Sequence, residues 1–284
     1  MRKRFFIRLI LIVIALTVIS LLVYWTRPSR VVDTALAKLA RSDTQHFYSA
    51  ISITNPEASI DILGEKASVD LLVNGQFKRE ADRRDSLDAT LQLTTKTETL
   101  TMLVEANARF IGDQAYFQIT KAPPSLPLLA ELKNIWIELP RGTQQSPAAL
   151  PEQEDTFVSV KAGPRQELDG TTVKAYQAVA TSAAVIRMMD SIAQVLGTHL
   201  TAEQIASIQQ GVANAENVPI ELAITPWSNE IRRISLVTTV PGSNNNMSIE
   251  LKFTERNKPV EIAVPTDAKK LSDIAGASDE AAPE

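Results

Sequence analysis

The sequence predicts an α+β fold, mostly antiparallel β, in which a curved half-barrel sheet wraps around helices and is preceded by one transmembrane helix. Three observations predict it. Apolar and polar residues alternate with a period of two through much of 69–119 and again through 220–253, as strands with one buried face require. Between those runs, apolar residues recur at helical spacing. No charge interrupts Leu9 to Trp25, a run that would reach about 26 Å as a helix.

The chain opens MRKRFFIRLILIVIALTVISLLVYWTRPSR. Phe5, Phe6 and Ile7 lengthen the apolar span, and Arg8 lies close enough to its edge to snorkel. Tyr24 and Trp25 stand where an interfacial aromatic belt belongs. A cleaved signal needs small residues before its cleavage site, and Val23-Tyr24-Trp25-Thr26-Arg27-Pro28 offers bulky ones. The segment therefore reads as an uncleaved signal anchor. Arg2, Lys3, Arg4 and Arg8 flank one side and Arg27, Arg30, Lys38 and Arg41 the other, and the short tail ahead of a long apolar run favours an N-terminus inside. The expected organisation is a cytoplasmic tail and anchor over 1–30, one extracytoplasmic half-barrel domain over 31–268, and a disordered acidic tail over 269–284. That places the protein in the cytoplasmic membrane as a single-pass chain.

After the anchor, Val32, Ala35, Leu36 and Leu39 fall on one helical face. Strand signals follow. Val69, Leu71, Val73 and Phe77 share a face, as do Ala89, Leu91 and Leu93; Leu100, Met102 and Val104; and Ala115, Phe117 and Ile119. Asn74-Gly75 reads as a turn or a bulge, and Gly112-Asp113 as a hairpin turn. Ile135, Ile137 and Leu139 continue the pattern around Trp136. The polar, proline-bearing RGTQQSPAALPEQED (Arg141 to Asp155) reads as a loop. Strands resume near Phe157 to Val160 and from Val173 to Val179, across an Asp169-Gly170 turn. Val185, Met188, Met189, Ile192, Val195 and Leu196 form a helical stripe ending at Gly197. Thr201 and Gln204 suggest a capping box for a second helix carrying Ile205, Ile208 and Val212. Ile220, Leu222 and Ile224, then Ile234, Leu236 and Val240, then Met247, Ile249, Leu251 and Phe253 close the sheet, with Pro241-Gly242 between the last two.

Composition excludes several function classes. Six of the 29 basic residues precede Val31 and all 33 acidic residues follow it, leaving 23 against 33 and a net of −10 from Val31 onward. Nucleic acid is not an expected partner of so acidic a domain, because phosphate neutralisation needs clustered Lys and Arg. The chain has no cysteine and two histidines, His46 and His199, so thiolate chemistry and a histidine-based metal site are not expected. No glycine-rich phosphate loop or nucleophile elbow occurs. The carboxylates Asp82, Asp85 and Asp88 are interleaved with Arg79, Arg83 and Arg84, and read as a solvated turn; Glu152, Glu154 and Asp155 lie in the polar loop. No cofactor, metal or catalytic set is expected, and the protein is not expected to be an enzyme. Ala122-Pro123-Pro124-Ser125-Leu126-Pro127-Leu128-Leu129 is an apolar, proline-stiffened connection that could rim a cavity or pack on its own domain.

The stretches ARFIGDQAYFQIT (Ala108 to Thr120), NIWIELP (Asn134 to Pro140), ELDGTTVKAYQAVAT (Glu167 to Thr181), PIELAITPWSNEIRRISLVTTV (Pro219 to Val240) and NKPVEIAVPTDA (Asn257 to Ala268) resemble bacterial envelope proteins of the lipoprotein-carrier superfamily. The likeness is closer to the mycobacterial lipid-carrying lipoproteins of LppX/LprG type. The resemblance spans about Val31 to Ala268. It implies a sharply curved antiparallel sheet around helices, able to enclose an apolar ligand. Relatives usually carry a lipidated cysteine or a cleaved signal, where this sequence shows an apolar span and no cysteine.

Two functions follow. A half-barrel with a helical plug can leave a dry cavity, in which case a lipid or other apolar ligand would be lined by Leu100, Met102, Val104, Phe117, Ile119, Ile249 and Leu251. The alternative uses the same residues as a filled core, in an envelope scaffold or sensory module that binds another protein.

Overall fold

A computed structural model describes residues 27–54, 60–62, 65–79, 86–112, 114–139, 157–181, 218–239 and 246–276, together with 183, 184, 186, 202, 205, 206 and 209. Among the described residues no helix is long and apolar enough to cross a membrane. The span expected at Leu9 to Trp25 lies outside them.

Helix α1 (Pro28–Ala40) begins three residues before the expected helix, with a proline in its first turn where the missing N–H is no loss. The strands are β1 (Thr44–Thr54), β2 (Ile60–Ile62), β3 (Glu65–Lys78), β4 (Ser86–Lys96), β5 (Thr101–Ile111), β6 (Gln114–Lys121), β7 (Trp136–Leu139), β8 (Phe157–Leu168), β9 (Thr171–Ala180), β10 (Val218–Ile224), β11 (Ile231–Thr239), β12 (Asn246–Thr254) and β13 (Lys269–Lys270). A short helix α2 (Pro127–Glu131) precedes β7, and α3 (Leu271–Gly276) follows β13. All but β2 follow one another across an open, curved sheet in the order β13-β7-β6-β5-β4-β3-β1-β12-β11-β10-β9-β8, and β2 pairs with β3. Every pairing between neighbours is antiparallel except the parallel contact of β13 with β7. The sheet is mostly antiparallel, as the alternation predicts, and open and curved, as the resemblance implies.

Helical positions stand between β9 and β10 where the two helices were expected. Ala183, Ala184, Ile186, Ala202, Ile205, Ala206 and Gln209 are helical, and Ile186 and Ile205 are buried. The Ala184 N–H donates to Thr181 Oγ1 at 3.1 Å, a side-chain cap on the first of them. The stripe residues Val185, Met188, Met189, Ile192, Val195 and Leu196, the pair Thr201 and Gln204, and the Pro241-Gly242 turn lie outside the described residues.

Two hairpin turns are as expected. Asp169 and Gly170 have φ of 49° and 73°, the left-handed pair that a two-residue hairpin needs, and Gly112 has φ 57°. Asn74-Gly75 is a correction: it is neither turn nor bulge. The pairing of β3 with β1 and β4 runs through it in unbroken register, with Phe47, Gly75 and Ala89 opposite one another. A Cβ on Gly75 would lie 2.8 Å from the Asp88 carbonyl oxygen, 2.9 Å from Ala89 Cβ and 3.0 Å from Phe47 Cζ. A Cβ here would meet the backbone of β4, Ala89 and the Phe47 ring together, so glycine is what the close approach requires.

Three stretches carry more structure than the sequence suggested. β1 is the central strand and joins the two runs of the sheet through β3 and β12. β8 extends past Val160 to Leu168 with two register shifts, and holds Pro164 at the sheet edge, where a missing donor costs no ladder bond. Beyond Ala268 the chain still pairs with β7 and forms α3 up to 276.

Candidate functional site

Register assigns the side chains to faces. Ile249, Ile51, Leu71, Leu93 and Val104 form one row across β12, β1, β3, β4 and β5. In the other direction the row continues through Leu236, Ile220, Ala178 and Val160. The adjacent row runs Leu251, Ser49, Val73, Leu91, Ala106 and Ile119. Six of the seven expected lining residues (Met102, Val104, Phe117, Ile119, Ile249 and Leu251) project from this one face. Leu100 sits in the β4–β5 turn, where its N–H donates to Thr97 Oγ1 at 3.0 Å and its carbonyl accepts from the Thr97 N–H at 2.8 Å.

Coverage divides the face. Over β9 to β12, helix α1 lies on it. Val32 and Ala35 are fully buried against Tyr176, Ala178, Leu222, Ile224, Leu236 and Ile249. Leu251 is partly buried against the same cluster. Ile249 and Leu251 thus belong to this closed core. Over β3 to β7 the same face is less completely covered. Leu71, Val73, Leu91, Met102, Val104 and Phe117 are half-buried, and Leu93, Leu100 and Leu139 are exposed at 38–39%. Ile119 and the small residues Ala89, Ala106, Ala108 and Ala115 are buried there. Leu71, Val73, Leu91 and Leu93 belong to the candidate surface as fully as Met102, Val104, Phe117 and Ile119, and their alternation is the signal for them.

The opposite face is polar and cross-linked. Ser52 Oγ donates to Asp70 Oδ1 at 2.6 Å, Asn107 Nδ2 to Gln118 Oε1 at 3.1 Å, and Arg109 Nε to Asp88 Oδ1 at 3.1 Å. Arg233 meets Glu221 at 2.5 Å. Asp88 corrects the solvated-turn reading: it lies within β4 and pairs across the sheet with Arg109 on β5, not with the local arginines; Asp82, Asp85 and the 152–155 carboxylates lie outside the described residues. A cavity of about 400 Å3 opens among Ala50, Ser52, Asp70, Leu72, Lys96 and Glu250. These are outward positions. Of the seven expected lining residues only Ile249 borders it, and its walls mix Asp70, Lys96 and Glu250 with Ile51, Leu72, Leu236 and Val237.

The C-terminal segment straps this polar face. After β12, the Asn257 N–H donates to Thr44 O at 2.9 Å and Thr44 Oγ1 to Lys258 O at 2.6 Å. Arg109 Nη1 then donates to Ala263 O at 3.2 Å, while its guanidinium stacks 4.8 Å from the buried Trp136 ring. Pro265 is buried, and β13 completes the crossing. The Tyr116 hydroxyl in this region titrates above its usual range, first because it is buried and second because Glu138 stands opposite it. Tyr176, in the closed core, is raised by burial alone. Among the described residues no group of three or more His, Asp or Glu comes together.

The connection Ala122 to Leu129 ends in α2. Leu126 is exposed and Leu129 half-buried, at the end of β6 that carries Ile119.

No family profile and no curated protein sequence matches this chain. Solved structures to which it is similar include LprF from Mycobacterium bovis, at 12% identity over 84% of this chain and 96% of that one, TM-score 0.43. A domain from Vibrio parahaemolyticus, an outer membrane lipoprotein-sorting protein, is similar at 8% identity over 81% and 93%, TM-score 0.23. The lipoprotein LppX of Mycobacterium tuberculosis is similar at 13% identity over 83% and 97%, TM-score 0.37. The solved structures similar to this chain thus include LppX, of the type that its sequence resembles, at low identity.

Proposed function

We propose that the protein is a non-catalytic, membrane-anchored extracytoplasmic binding protein for a lipid or other apolar ligand. The observation that carries this reading is the uneven coverage of one continuous apolar face. The rows that α1 closes over β9 to β12 run on across β3 to β6, where leucines reach 39% exposure. A contiguous apolar surface of this kind favours an apolar occupant, since each Å2 removed from water contributes about 25 cal/mol. The binding surface is then Met102, Val104, Phe117 and Ile119 with Leu71, Val73, Leu91 and Leu93, and Leu100 at its rim. Anchoring by Leu9 to Trp25, with the N-terminus inside, belongs to the same proposal.

Native mass spectrometry of the full chain, made in a bacterial host and released from detergent micelles, tests it. Added mass that survives detergent removal and is stripped by organic solvent is expected. A clean apo mass, together with no uptake of a fluorescent fatty acid, would favour the protein-binding scaffold.

A further inference from the structure

Trp227 is 94% exposed, in the turn Thr225-Pro226-Trp227-Ser228-Asn229-Glu230 between β10 and β11. A single exposed apolar side chain needs no explanation in itself. Two further observations set this one apart.

The first is that the turn is braced. The Thr225 N–H donates to Glu230 O, the Asn229 N–H to Thr225 O and the Glu230 N–H to Thr225 Oγ1, each at 3.0 Å. The Thr225 and Ser228 hydroxyls lie 2.5 Å apart, and Asn229 takes a left-handed φ of 49°. Lys38 Nζ donates to Ser228 O, which ties the turn to α1, the helix that leads back towards the N-terminal apolar run. The indole is therefore presented by a rigid support.

The second is local charge. From Val31 onward the chain is strongly acidic, yet the surroundings of this turn are cationic. Lys38 holds the turn, and its own carbonyl accepts from Arg256 Nη2. Arg232, Arg256 and Glu230 border one small cavity with Leu39, and Arg41 is exposed one helical turn beyond Lys38. Arg232 pairs with Glu230 at 3.2 Å and Lys258 with Glu255 at 2.9 Å, so the balance of the turn's surroundings is set by Lys38, Arg41 and Arg256 against Asp43.

An exposed indole on a turn held by Lys38, with Arg256 bonded to that lysine's carbonyl and Arg41 one helical turn on, matches the chemistry of a bilayer interface, where the ring sits at headgroup level and the cations meet anionic lipid. We infer that the Trp227 turn is a second contact with the membrane, seated on an anionic lipid surface. It rests on the membrane attachment proposed above. Lys38 lies ten residues along α1 from Pro28, about 15 Å of helix, so the contact requires α1 to lie along the bilayer and not stand upright on it. The half-covered apolar face would then be held near the surface from which a lipid ligand comes.

The test uses the full chain with Trp25→Phe, reconstituted into vesicles of equal phosphatidylglycerol and phosphatidylcholine with brominated acyl chains. A Trp25→Phe/Trp227→Phe chain supplies the Trp136 background. The Trp227 difference emission is expected to be blue-shifted and quenched by more than about twofold, as for an indole at the interface. Arg41→Glu is expected to weaken that quenching. Emission that stays red and unquenched in vesicles that float with the protein overturns the contact while leaving the anchor standing. A chain that does not float with vesicles overturns both.

Discussion

The two ends of the sheet share one alternation and differ in what lies over it. Over β9 to β12, Leu222 and Ile224 are at most 1% exposed, because α1 lays its Val32-Ala35-Leu36-Leu39 stripe on the inward face. Over β3 to β6 the same face holds Leu93 at 39%, with half-buried neighbours on every adjoining strand. A period of two marks which side chains share a face; it carries no information about what covers that face. The difference teaches that the closed end holds the fold together while the open end is free to hold something else.

The largest effect is expected from truncating the closed end. Leu222→Ala should destabilise by about 2–5 kcal/mol, the range for deleting a fully buried leucine, read from the midpoint of denaturant unfolding. Leu93→Ala, the same chemical change on the same face, should cost about 0.5 kcal/mol or less, as at other exposed positions. Equal costs would erase the distinction between the ends. Leu93→Glu sharpens it from the other side: uptake of a fluorescent fatty acid should fall at least about tenfold, equivalent to 1.4 kcal/mol of binding, with unfolding little changed. Uptake that survives Leu93→Glu would move the ligand off this surface.

Gly75 lies close to the centre of the sheet, where β1 joins the two ends. Gly75→Val places a branched side chain against the Asp88 carbonyl, which is backbone and cannot swing away. The overpacking should cost about 1–3 kcal/mol. In a Phe47→Ala background the ring is gone and part of that cost should be recovered. A strictly additive double mutant, measured by the same unfolding, would mean that the ring is not what the glycine accommodates.

The parts of this architecture legible in the sequence are those where the inward set is mostly apolar. β4, β5 and β6 are marked by Leu91 and Leu93, Met102 and Val104, and Phe117 and Ile119, although the inward Thr95 and the outward Leu103 break the alternation. β1 is not so marked, because its inward positions include Gln45 and Ser49, both buried. Gln45 Nε2 donates to the Thr254 carbonyl at 2.8 Å, a partner supplied by a residue 209 positions away and invisible locally. β8 hid behind Gly163-Pro164, a turn signal that an edge strand tolerates. Gly75 looked like a bulge for the same reason: a glycine signals either an unusual backbone or a close neighbour, and only the fold shows the Phe47 ring. The C-terminal strap has no periodicity at all, since it crosses strands instead of running along them. For the candidate surface, the sequence marked the face and could not mark the boundary between its closed and open ends, which is why Ile249 and Leu251 joined the lining set and Leu93 did not.

The smallest effect separates the two ends by pH. Tyr176 stands in the closed core, and its burial favours the neutral phenol; Tyr116 is buried on the other face of the sheet, on β6 beside Arg109, which the strap meets, with Glu138 adding repulsion to any phenolate. A folded-state pKa above the unfolded value of 10.0 means that each contribution is fully present below about pH 10 and fades as pH rises through the folded value. Alkaline unfolding followed by circular dichroism should therefore begin above pH 10. Tyr176→Phe should move its midpoint upward, because a ring that cannot ionise keeps the closed core intact. Glu138→Gln should instead leave that midpoint nearly in place and lower the pH at which Tyr116 absorbance at 295 nm changes, since it removes only the secondary of the two causes. If Glu138→Gln shifted the unfolding midpoint as far as Tyr176→Phe, the strap side would be as important to stability as the closed core, and the contrast between the two ends would fail.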